Sequence, residues 1–330
     1  MKLWFDVMNT PHAHFLSCVN DNLNQEHETF FTSRIYAETT KVLENYGIDF
    51  ISYGKHGGSS YLGKRSAALN SILFLLRRIP NFDINISMMS HVSPIIARLK
   101  GKKSIGITDN ELFIRQNQRL IHFFSDIILP IHLKGSIPIN SATNFHFFNG
   151  LKEDIYISNY NFKNIKDKIP FDKFVTLRPE ALKAPYVKNN RVSLVEELIA
   201  SLSKKGINIL FLPRYDSDKL IAKKFKNVFV PHEALNGIDI CNTTDAVITG
   251  SGTLAREATR IGTPAVSFYP DKLLEVDRHL ANNGKIFHSR NVSEIVDFVV
   301  DKDGKRSQPS DSSEAKFNFF KILRQVMVGK

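Results

Sequence analysis

Cysteine is scarce in this 330-residue sequence, and no long apolar run is present. Cys18 and Cys241 are the two cysteines, and they lie far apart. They give neither a disulfide framework nor the ligand spacing of a zinc site. No apolar run approaches the roughly 20 residues that span a bilayer, and Asp6 falls where a signal peptide has its apolar segment. These absences exclude a disulfide-stapled scaffold and favour a cytoplasmic protein.

Basic residues outnumber acidic ones by 44 to 33, which gives a formal net charge of +11. Such an excess favours anionic partners such as phosphates, nucleic acid or a membrane surface, and a solvated basic surface is the equal alternative. The sequence has no helix-turn-helix, zinc-finger or RNA-recognition pattern. We therefore expect no specific nucleic-acid partner.

The chain length predicts two domains. Short apolar runs alternate with helical patterns, and this alternation pauses near residues 149–170 and then starts again. Alternating strands and helices predict parallel sheets with right-handed crossovers, so the expected class is α/β with two Rossmann-like domains. The expected organisation is a first domain over 1–150, a linker over 151–172, a second domain over 173–312 and a C-terminal helix over 313–330.

A glycine-rich turn in the second half gives the strongest local signal. A predicted strand over 246–249 leads into Gly250, Ser251, Gly252 and Thr253, where a helix begins. Glycines let the backbone approach an anion, and the free N–H groups of a first helical turn bind it. Glu257, one turn later, is placed to accept hydrogen bonds from sugar hydroxyls. An ordinary tight turn with a hydroxyl cap is the alternative, since neither the P-loop nor the dinucleotide spacing is present.

Two histidines follow the first predicted strand. Thr10 is the expected N-cap and Pro11 the expected first helical residue, so His12 and His14 lie in the first turn. Residues two apart do not share a helical face, so one of the two histidines is expected at the site. Histidine suits a general base, and a structural histidine is the alternative for each.

Acidic and basic residues follow several other predicted strands. Asp109 and Glu111 follow the strand over 103–107, where they suit acid–base chemistry, and helix capping by Asp109 or Asn110 explains them equally well. Arg178 and Arg214 each leave a strand of the second half, and arginine binds phosphate bidentately. Surface ion pairs are the alternative for both arginines. Asp277 is expected either to bind sugar hydroxyls or to cap and solvate a helix.

One helical segment, over residues 66–80, is apolar around most of its circumference and ends in Arg77 and Arg78. A membrane-surface or lipid-acceptor role is one interpretation. A buried helix with a basic last turn is the favoured one.

Seven motifs in order resemble the domain of unknown function 354 family, which is found largely in archaea. The resemblance covers residues 1 to about 300, and Thr10 departs from the family's Asn-Pro-Pro pattern. The motifs are NTPHAHF at 9–15, GKHGG at 54–58, DNE at 109–111, NGLKE at 149–153, RPE at 178–180, LPRY at 212–215 and GSGTLARE at 250–257.

The resemblance implies a GT-B-like fold, with two Rossmann-like parallel-sheet domains facing a central cleft and a C-terminal helix that packs back on the first domain. The GT-B group includes nucleotide-sugar glycosyltransferases and non-hydrolysing UDP-N-acetylglucosamine 2-epimerases. It implies that residues 250–253 hold the donor diphosphate and Glu257 the ribose, and Arg178 matches a basic turn of the epimerases. It implies no cofactor and no bound metal, since the nucleotide-sugar is the substrate.

The resemblance leaves three functions open. Transferases of the peptidoglycan-precursor type carry a histidine at the first strand-to-helix turn, where this chain has His12, with His14 as second choice. Epimerases use acids in the first domain, a role that Asp109 and Glu111 fit. Their other acid lies one strand earlier, where this chain has the sequence SHVS at 90–93. We therefore expect a glycosyltransferase with a glycan or lipid-linked acceptor. An epimerase and an inactive sugar-nucleotide-binding protein are the alternatives. The expected location is cytoplasmic, either free or peripheral on the inner face of the membrane.

Overall fold

The computed structural model describes residues 1–35, 39–54, 61–138, 142–182 and 192–329, with the backbone alone for 61–65. The chain divides into two compact units, which are described separately. The first contains Met1–Tyr156 and Ser312–Lys330, and the second contains Ile157–Asp311. Residues 152–157 form a helix that begins in the first unit and ends at this boundary. Of the motif at 54–58, residues 55–58 lie outside the described residues.

The first unit is built on a seven-stranded parallel sheet in the order β3-β2-β1-β4-β5-β6-β7, as far as the described residues go. The innermost strands are buried on both faces, which is typical of parallel sheets covered by helices. Its strands are β1 (Lys2–Val7), β2 (Glu28–Arg34), β3 (Phe50–Tyr53), β4 (Ile84–Ser87), β5 (Lys103–Ile107), β6 (Asp126–Pro130) and β7 (Asn144–Phe148). Its helices are α1 (Thr10–Leu23), α2 (Thr39–Asn45), α3 (Tyr61–Arg78), α4 (Ser93–Leu99), α5 (Glu111–Gln116), α6 (Gln118–Ile121), α7 (Lys152–Ile157) and the C-terminal α14 (Ser313–Met327).

The second unit has a six-stranded parallel sheet in the order β10-β9-β8-β11-β12-β13, again within the described part of the chain. Its strands are β8 (Val175–Arg178), β9 (Ile209–Phe211), β10 (Val228–Phe229), β11 (Ala246–Thr249), β12 (Ala265–Ser267) and β13 (Phe287–His288). Its helices are α8 (Val195–Lys204), α9 (Asp216–Ala222), α10 (Gly237–Thr243), α11 (Gly252–Ile261), α12 (Glu275–Asn282) and α13 (Val292–Lys302). Two parallel α/β units are therefore present, as the alternating pattern predicted.

Two details near the first unit's strand ends differ from expectation. Asn9, and not Thr10, caps α1, because its Oδ1 accepts a hydrogen bond of 3.1 Å from the backbone N–H of His12. The apolar pattern over 111–124 predicts a single helix, but the structure has two short helices there, α5 and α6. Asn117 separates them with a non-helical backbone, and its side chain donates to the carbonyl oxygen of Phe113 at 2.9 Å.

The C-terminal helix α14 packs on the first unit through aromatic side chains. Phe319 is fully buried and meets Phe15 of α1 and Phe148 of β7 edge-to-face, with ring centroids 5.6 and 5.4 Å apart. Lys103 of β5 donates to the carbonyl oxygen of Val326 near the end of α14. Sequentially distant ends of the chain thus share one core.

Helix α3 is only partly buried, whereas the sequence favoured a buried helix. Leu75 and Ile79 face the core, while Leu69, Leu73 and Phe74 are exposed. Within the described residues, no helix has the length and apolar character needed to cross a membrane.

Truncating Phe319 tests the attachment of α14. We expect Phe319→Ala to lower the free energy of unfolding by about 3–5 kcal/mol, because the change leaves a cavity among packed aromatic rings. Phe317→Ala is the matched control, since the Phe317 side chain on the same helix is 71% exposed. Its effect should stay below about 0.5 kcal/mol. Urea denaturation measures both changes, and equal effects would contradict this account of the packing.

Candidate functional site

The carboxyl ends of β1 and β5 bring predicted residues together in the first unit. Both strands flank β4 in the sheet, so the segments that leave them are near neighbours. His12 lies in the first turn of α1, which follows β1, and Asp109 lies just after β5. Asn110 caps α5 by accepting from the backbone N–H groups of Leu112 and Phe113. The capping role therefore falls to Asn110, which leaves the Asp109 carboxylate for another contact.

That contact is a buried ion pair that the sequence did not reveal. The Lys152 ammonium donates to Oδ2 of Asp109 at 2.9 Å and lies 3.4 Å from Oε1 of Glu153. The Lys152 side chain is 6% exposed and that of Glu153 fully buried. Glu111, also buried, is the first residue of α5. Lys152 and Glu153 lie within a recognised motif, but the 43 residues between Lys152 and Asp109 hide the pairing.

His12 is electrostatically part of this group. Burial, and secondly the positive charge of Lys152, lowers the pKa of His12 to about 3, with Asp109 acting in the opposite direction. The imidazole is therefore neutral at physiological pH. Its Nε2 lies 3.1 Å from Nδ2 of Asn9.

His14 has different surroundings from His12. Its Nδ1 lies 2.9 Å from the hydroxyl oxygen of Tyr46, and the two rings meet edge-to-face. Burial lowers the pKa of His14 to about 4. The structure thus pairs His14 with Tyr46 and groups His12 with Asp109 and Lys152.

A network of buried hydrogen bonds links the end of β1 to the neighbouring strands. The buried carboxylate of Asp6 accepts hydrogen bonds from Thr32 at 2.6 Å and from Tyr53 at 3.1 Å, and Trp4 donates to Thr32. Burial raises the pKa of Asp6, and these hydrogen bonds oppose the shift. Strands β1, β2 and β3 are therefore linked through side chains as well as through their backbones.

The second unit brings two predicted arginines to one sheet edge. Arg178 ends β8, and Arg214 follows the neighbouring β9, where its Nε donates to the carbonyl oxygen of Pro179 at 2.7 Å. Burial, and then repulsion from Arg214, lowers the pKa of Arg178 to about 10, while Glu257 acts in the opposite direction. Glu257 is buried on α11. These three predicted residues therefore share one electrostatic environment.

The glycine-rich turn lies beside Arg178, because β8 pairs with β11 and the Gly250 N–H donates to the Arg178 carbonyl oxygen. A Cβ on Gly250 would stand 2.6 Å from Cα of Glu180, so close backbone packing alone requires this glycine. Ser251 occupies the N-cap position of α11, but its hydroxyl does not cap the helix. At this described turn Ser251 therefore does not provide the hydroxyl cap of the alternative interpretation.

Gly252 also has a packing role. A Cβ there would lie 2.7 Å from Oδ2 of Asp277 and 2.9 Å from Nη1 of Arg256. Arg256 and Asp277 form a buried ion pair of 2.8 Å, and Arg256 also reaches the Thr253 hydroxyl at 3.5 Å. Asp277 was expected either at a sugar hydroxyl or as a cap, and the structure pairs it with Arg256 at the start of α11.

Glu180 is a further buried residue at this edge whose role sequence reasoning missed. Its carboxylate accepts from the Ser193 hydroxyl at 3.2 Å and lies 3.3 Å from Nη1 of Arg290. Arg290 also donates to the carbonyl oxygen of Phe268 at 2.7 Å. The sequence signal for Glu180 was the Arg-Pro-Glu motif at 178–180. In the structure this glutamate stabilises the loops around Arg178 through its contacts with Ser193 and Arg290.

Comparison with known proteins identifies the family. The family model described as "Protein of unknown function (DUF354)" matches residues 1–319. The chain belongs to this family. A relative of similar length is the uncharacterized protein MJ0665 of Methanocaldococcus jannaschii. It is 26% identical to this chain over 322 residues, which is 93% of each chain.

Solved structures show the fold of this DUF354 member. Staphylococcus aureus MnaA in its co-structure with UDP has a TM-score of 0.72 at 14% identity, over 99% of this chain and 96% of that one. The UDP-GlcNAc 2-epimerase of M. jannaschii, in complex with UDP-GlcNAc and UDP, has a TM-score of 0.70 at 15% sequence identity. This match covers 98% of this chain and 99% of the epimerase. The glycosyltransferase VinC, in complex with dTDP, has a TM-score of 0.62 at 12% sequence identity. This match covers 100% of this chain and 99% of VinC. At these identities the likeness shows the fold alone, and the expected GT-B-like class with two Rossmann-like domains is confirmed.

The buried His14 predicts a pH dependence of stability. Its pKa is about 4 in the folded chain against 6.5 ordinarily, so the unfolded chain binds more protons between these values. The stability that His14 contributes is present above pH 6.5 and is lost as the pH falls towards 4. We expect His14→Phe to reduce this acid-side loss, as measured by urea denaturation at several pH values. A variant with an unchanged pH profile would contradict the assignment.

Proposed function

We propose that the chain is a nucleotide-sugar-dependent glycosyltransferase whose second unit binds the donor diphosphate. The observation that carries the proposal is the pair of arginines, Arg178 and Arg214, beside the start of α11. Two partly buried guanidinium groups that repel each other favour an anionic ligand, because the negative charge of the ligand reduces this repulsion. The N-terminus of a helix adds a positive dipole end and backbone donors.

Residues 250–253 and Glu257 complete the proposed donor site. The main-chain N–H groups of Gly252 and Thr253 bind phosphate oxygens, since those of Gly250 and Ser251 already donate to Arg178 and Thr249. The Glu257 carboxylate accepts hydrogen bonds from the ribose hydroxyls. Asp277 supports this site in the proposal through Arg256, since that ion pair lies against Gly252. Solved structures of similar fold hold UDP, UDP-GlcNAc or dTDP, which supports a pyrimidine nucleoside diphosphate as the donor part.

The proposed transfer also needs groups that act on the acceptor. Transfer to a hydroxyl of a glycan or of a lipid-linked acceptor needs a group that removes the hydroxyl proton. It also needs stabilisation of the diphosphate that leaves, which the arginines and the helix N-terminus supply without a metal. The base candidates of this proposal are His12, which follows β1, and Asp109 and Glu111, which follow β5.

Epimerisation of the sugar at C2 is the second candidate function. The observation that favours it is the set of buried carboxylates of Asp109, Glu111 and Glu153 near one strand end. Inverting a carbon centre needs one group to remove a proton and another to return it on the opposite face, and carboxylates serve both steps. Residues 90–93, which lie where the resemblance places a further acid of the epimerases, include no acidic residue, and this favours transfer.

Removal of one arginine tests the donor site. We expect Arg178→Met to weaken UDP binding about 10- to 100-fold, because a charge-assisted hydrogen bond to phosphate is lost. Lys219→Met is the control, since the Lys219 side chain is 56% exposed and pairs with Asp216. Isothermal titration of both variants with UDP measures the difference. Equal affinities in the variants and the unchanged chain would refute the site.

Isotope exchange distinguishes the two reactions. In deuterated buffer with UDP-GlcNAc, a transferase leaves the C2 proton in place and releases UDP when an acceptor is added. An epimerase exchanges the C2 proton with solvent. We expect no deuterium at C2 by NMR, with the M. jannaschii epimerase as the positive control. If deuterium is found at C2 with the unchanged chain and is absent with Glu111→Gln, the reaction is epimerisation and the transferase proposal is wrong.

A further inference from the structure

Helix α3 carries apolar side chains on its solvent side as well as on the side that faces the core of the first unit. Leu75 and Ile79 are buried, where they pack with residues of β1, β3 and α4. Leu69, Leu73 and Phe74 are between 37% and 57% exposed. Single exposed apolar residues are ordinary on protein surfaces, whereas a group of them on one element marks an interaction site.

Two arginines continue this exposed side at the end of the helix. Arg77 lies four residues after Leu73, and Arg78 lies four residues after Phe74. Both arginines are exposed, and the guanidinium carbon of Arg78 lies 5.3 Å from the centroid of the Phe74 ring. Leu69, Leu73, Phe74, Arg77 and Arg78 are together named the outer face of α3. It combines apolar and basic side chains on one helix.

The sequence around the outer face has no acidic residue. None occurs between Asp49 and Asp83, whereas five lysines and arginines lie in this stretch. Asp83 itself accepts a hydrogen bond from the backbone N–H of Lys2 at 2.8 Å and lies 3.9 Å from the Lys102 ammonium. The positive charge of this segment therefore has no acid within the segment to balance it, and it favours a negatively charged partner.

The stability of the helix does not explain this charge pattern. Cations at the C-terminus of a helix interact favourably with its dipole, which accounts for Arg77 and Arg78. The same dipole disfavours cations near the N-terminus, where α3 has Lys64 and Arg65 and no acid in its first turn. Basic residues near both ends of α3 are better explained by a partner than by the helix itself.

A second copy of the chain is a poor match for the outer face. If two α3 helices packed antiparallel, the basic pair near the N-terminus of one would meet the basic pair at the C-terminus of the other. If they packed parallel, identical basic pairs would meet. Both arrangements place like charges together, which is unfavourable. A partner that is apolar inside and negatively charged at its boundary suits both properties of the outer face.

We propose that the outer face of α3 binds the surface of a bilayer that contains anionic phospholipids. The apolar side chains enter the boundary between headgroups and acyl chains, and the arginines bind lipid phosphate oxygens. The negative surface potential of such a bilayer attracts the basic segment. Binding there would keep the chain at the surface that holds lipid-linked acceptors, one of the two acceptor classes of the proposed function.

Sedimentation of the full chain with lipid vesicles tests the proposal. Vesicles of phosphatidylcholine alone are compared with vesicles in which phosphatidylglycerol makes up about one third of the lipid. We expect binding to the anionic vesicles to be at least about 10-fold tighter than to the neutral ones, and to weaken as salt is added. Equal binding to both kinds of vesicle, or no binding to the anionic ones, would overturn the proposal.

Removal of exposed apolar side chains tests the location of the contact. We expect the double variant Leu73→Ser, Phe74→Ser to bind anionic vesicles about 10-fold more weakly, because less apolar area enters the lipid. Phe317→Ser is the control, since Phe317 is an exposed aromatic residue on α14. It should bind as the unchanged chain does. Thermal unfolding checks that each variant is folded, and equal losses in variant and control would overturn the location.

Removal of charge tests the arginines separately. We expect the double variant Arg77→Gln, Arg78→Gln to weaken binding about 10-fold or more and to reduce its dependence on salt. The matched control is Lys204→Gln with Lys205→Gln, which removes two exposed charges from the second unit. A loss of the same size in this control would show that net charge alone attracts the chain, and the proposed contact would be wrong.

Light scattering without lipid tests a second copy as the occupant. We expect the unchanged chain and the Leu73→Ser, Phe74→Ser variant to have the same molecular mass in solution. A dimer of the unchanged chain that becomes a monomer in this variant would show that a second copy covers the outer face, and this would overturn the proposal. None of these measurements involves a nucleotide, so their failure leaves the proposed function intact.

Discussion

The buried ammonium group of Lys152 organises the carboxyl edge of the sheet in the first unit. Desolvation of a charged amine costs several kcal/mol, so it is stable only against carboxylates in direct contact. Asp109 after β5 and Glu153 on α7 provide that contact. The ion pair therefore determines the position of Asp109. Burial lowers the pKa of His12 and keeps its ring neutral, and the Lys152 charge adds to this effect while Asp109 opposes it. The cap formed by Asn110 belongs to the same arrangement, because it leaves Asp109 available for Lys152.

Two ion pairs of the second unit follow the same rule, and Arg178 differs from them. Arg256 is paired with Asp277 and Arg290 with Glu180, so these buried charges are compensated within the fold. Arg178 differs because a second guanidinium group acts on it. Two like charges held together at a strand end oppose folding, and such arrangements are concentrated at binding sites. The ion pairs Arg256–Asp277 and Arg290–Glu180 stabilise the glycine-rich turn and the loops beside it. The proposed binding role belongs to Arg178 and Arg214.

The sequence allowed the sheets to be predicted well where local pattern decides structure. The strands expected over 103–107 and 246–249 are β5 and β11, since each is an apolar run bounded by turn residues. Strand β7 was missed because its NFHFF sequence lies at a half-exposed sheet edge and lacks clear alternation. Long-range chemistry was missed for a different reason. Neither the partner of Lys152 nor the packing of Gly250 on Glu180 can be read from spacing, because both depend on how distant segments meet.

Net charge and the proposed phosphate site are separate properties of this chain. The excess of basic residues first suggested anionic partners, yet an exposed lysine such as Lys219, paired with Asp216, is screened by solvent and salt. A partly buried guanidinium is screened much less, so the charge on Arg178 acts more strongly on a ligand beside it. In the proposed function, selectivity for a nucleoside diphosphate depends on a few partly buried groups and not on the net charge. The basic surface adds attraction at long range, and it would do so for any polyanion.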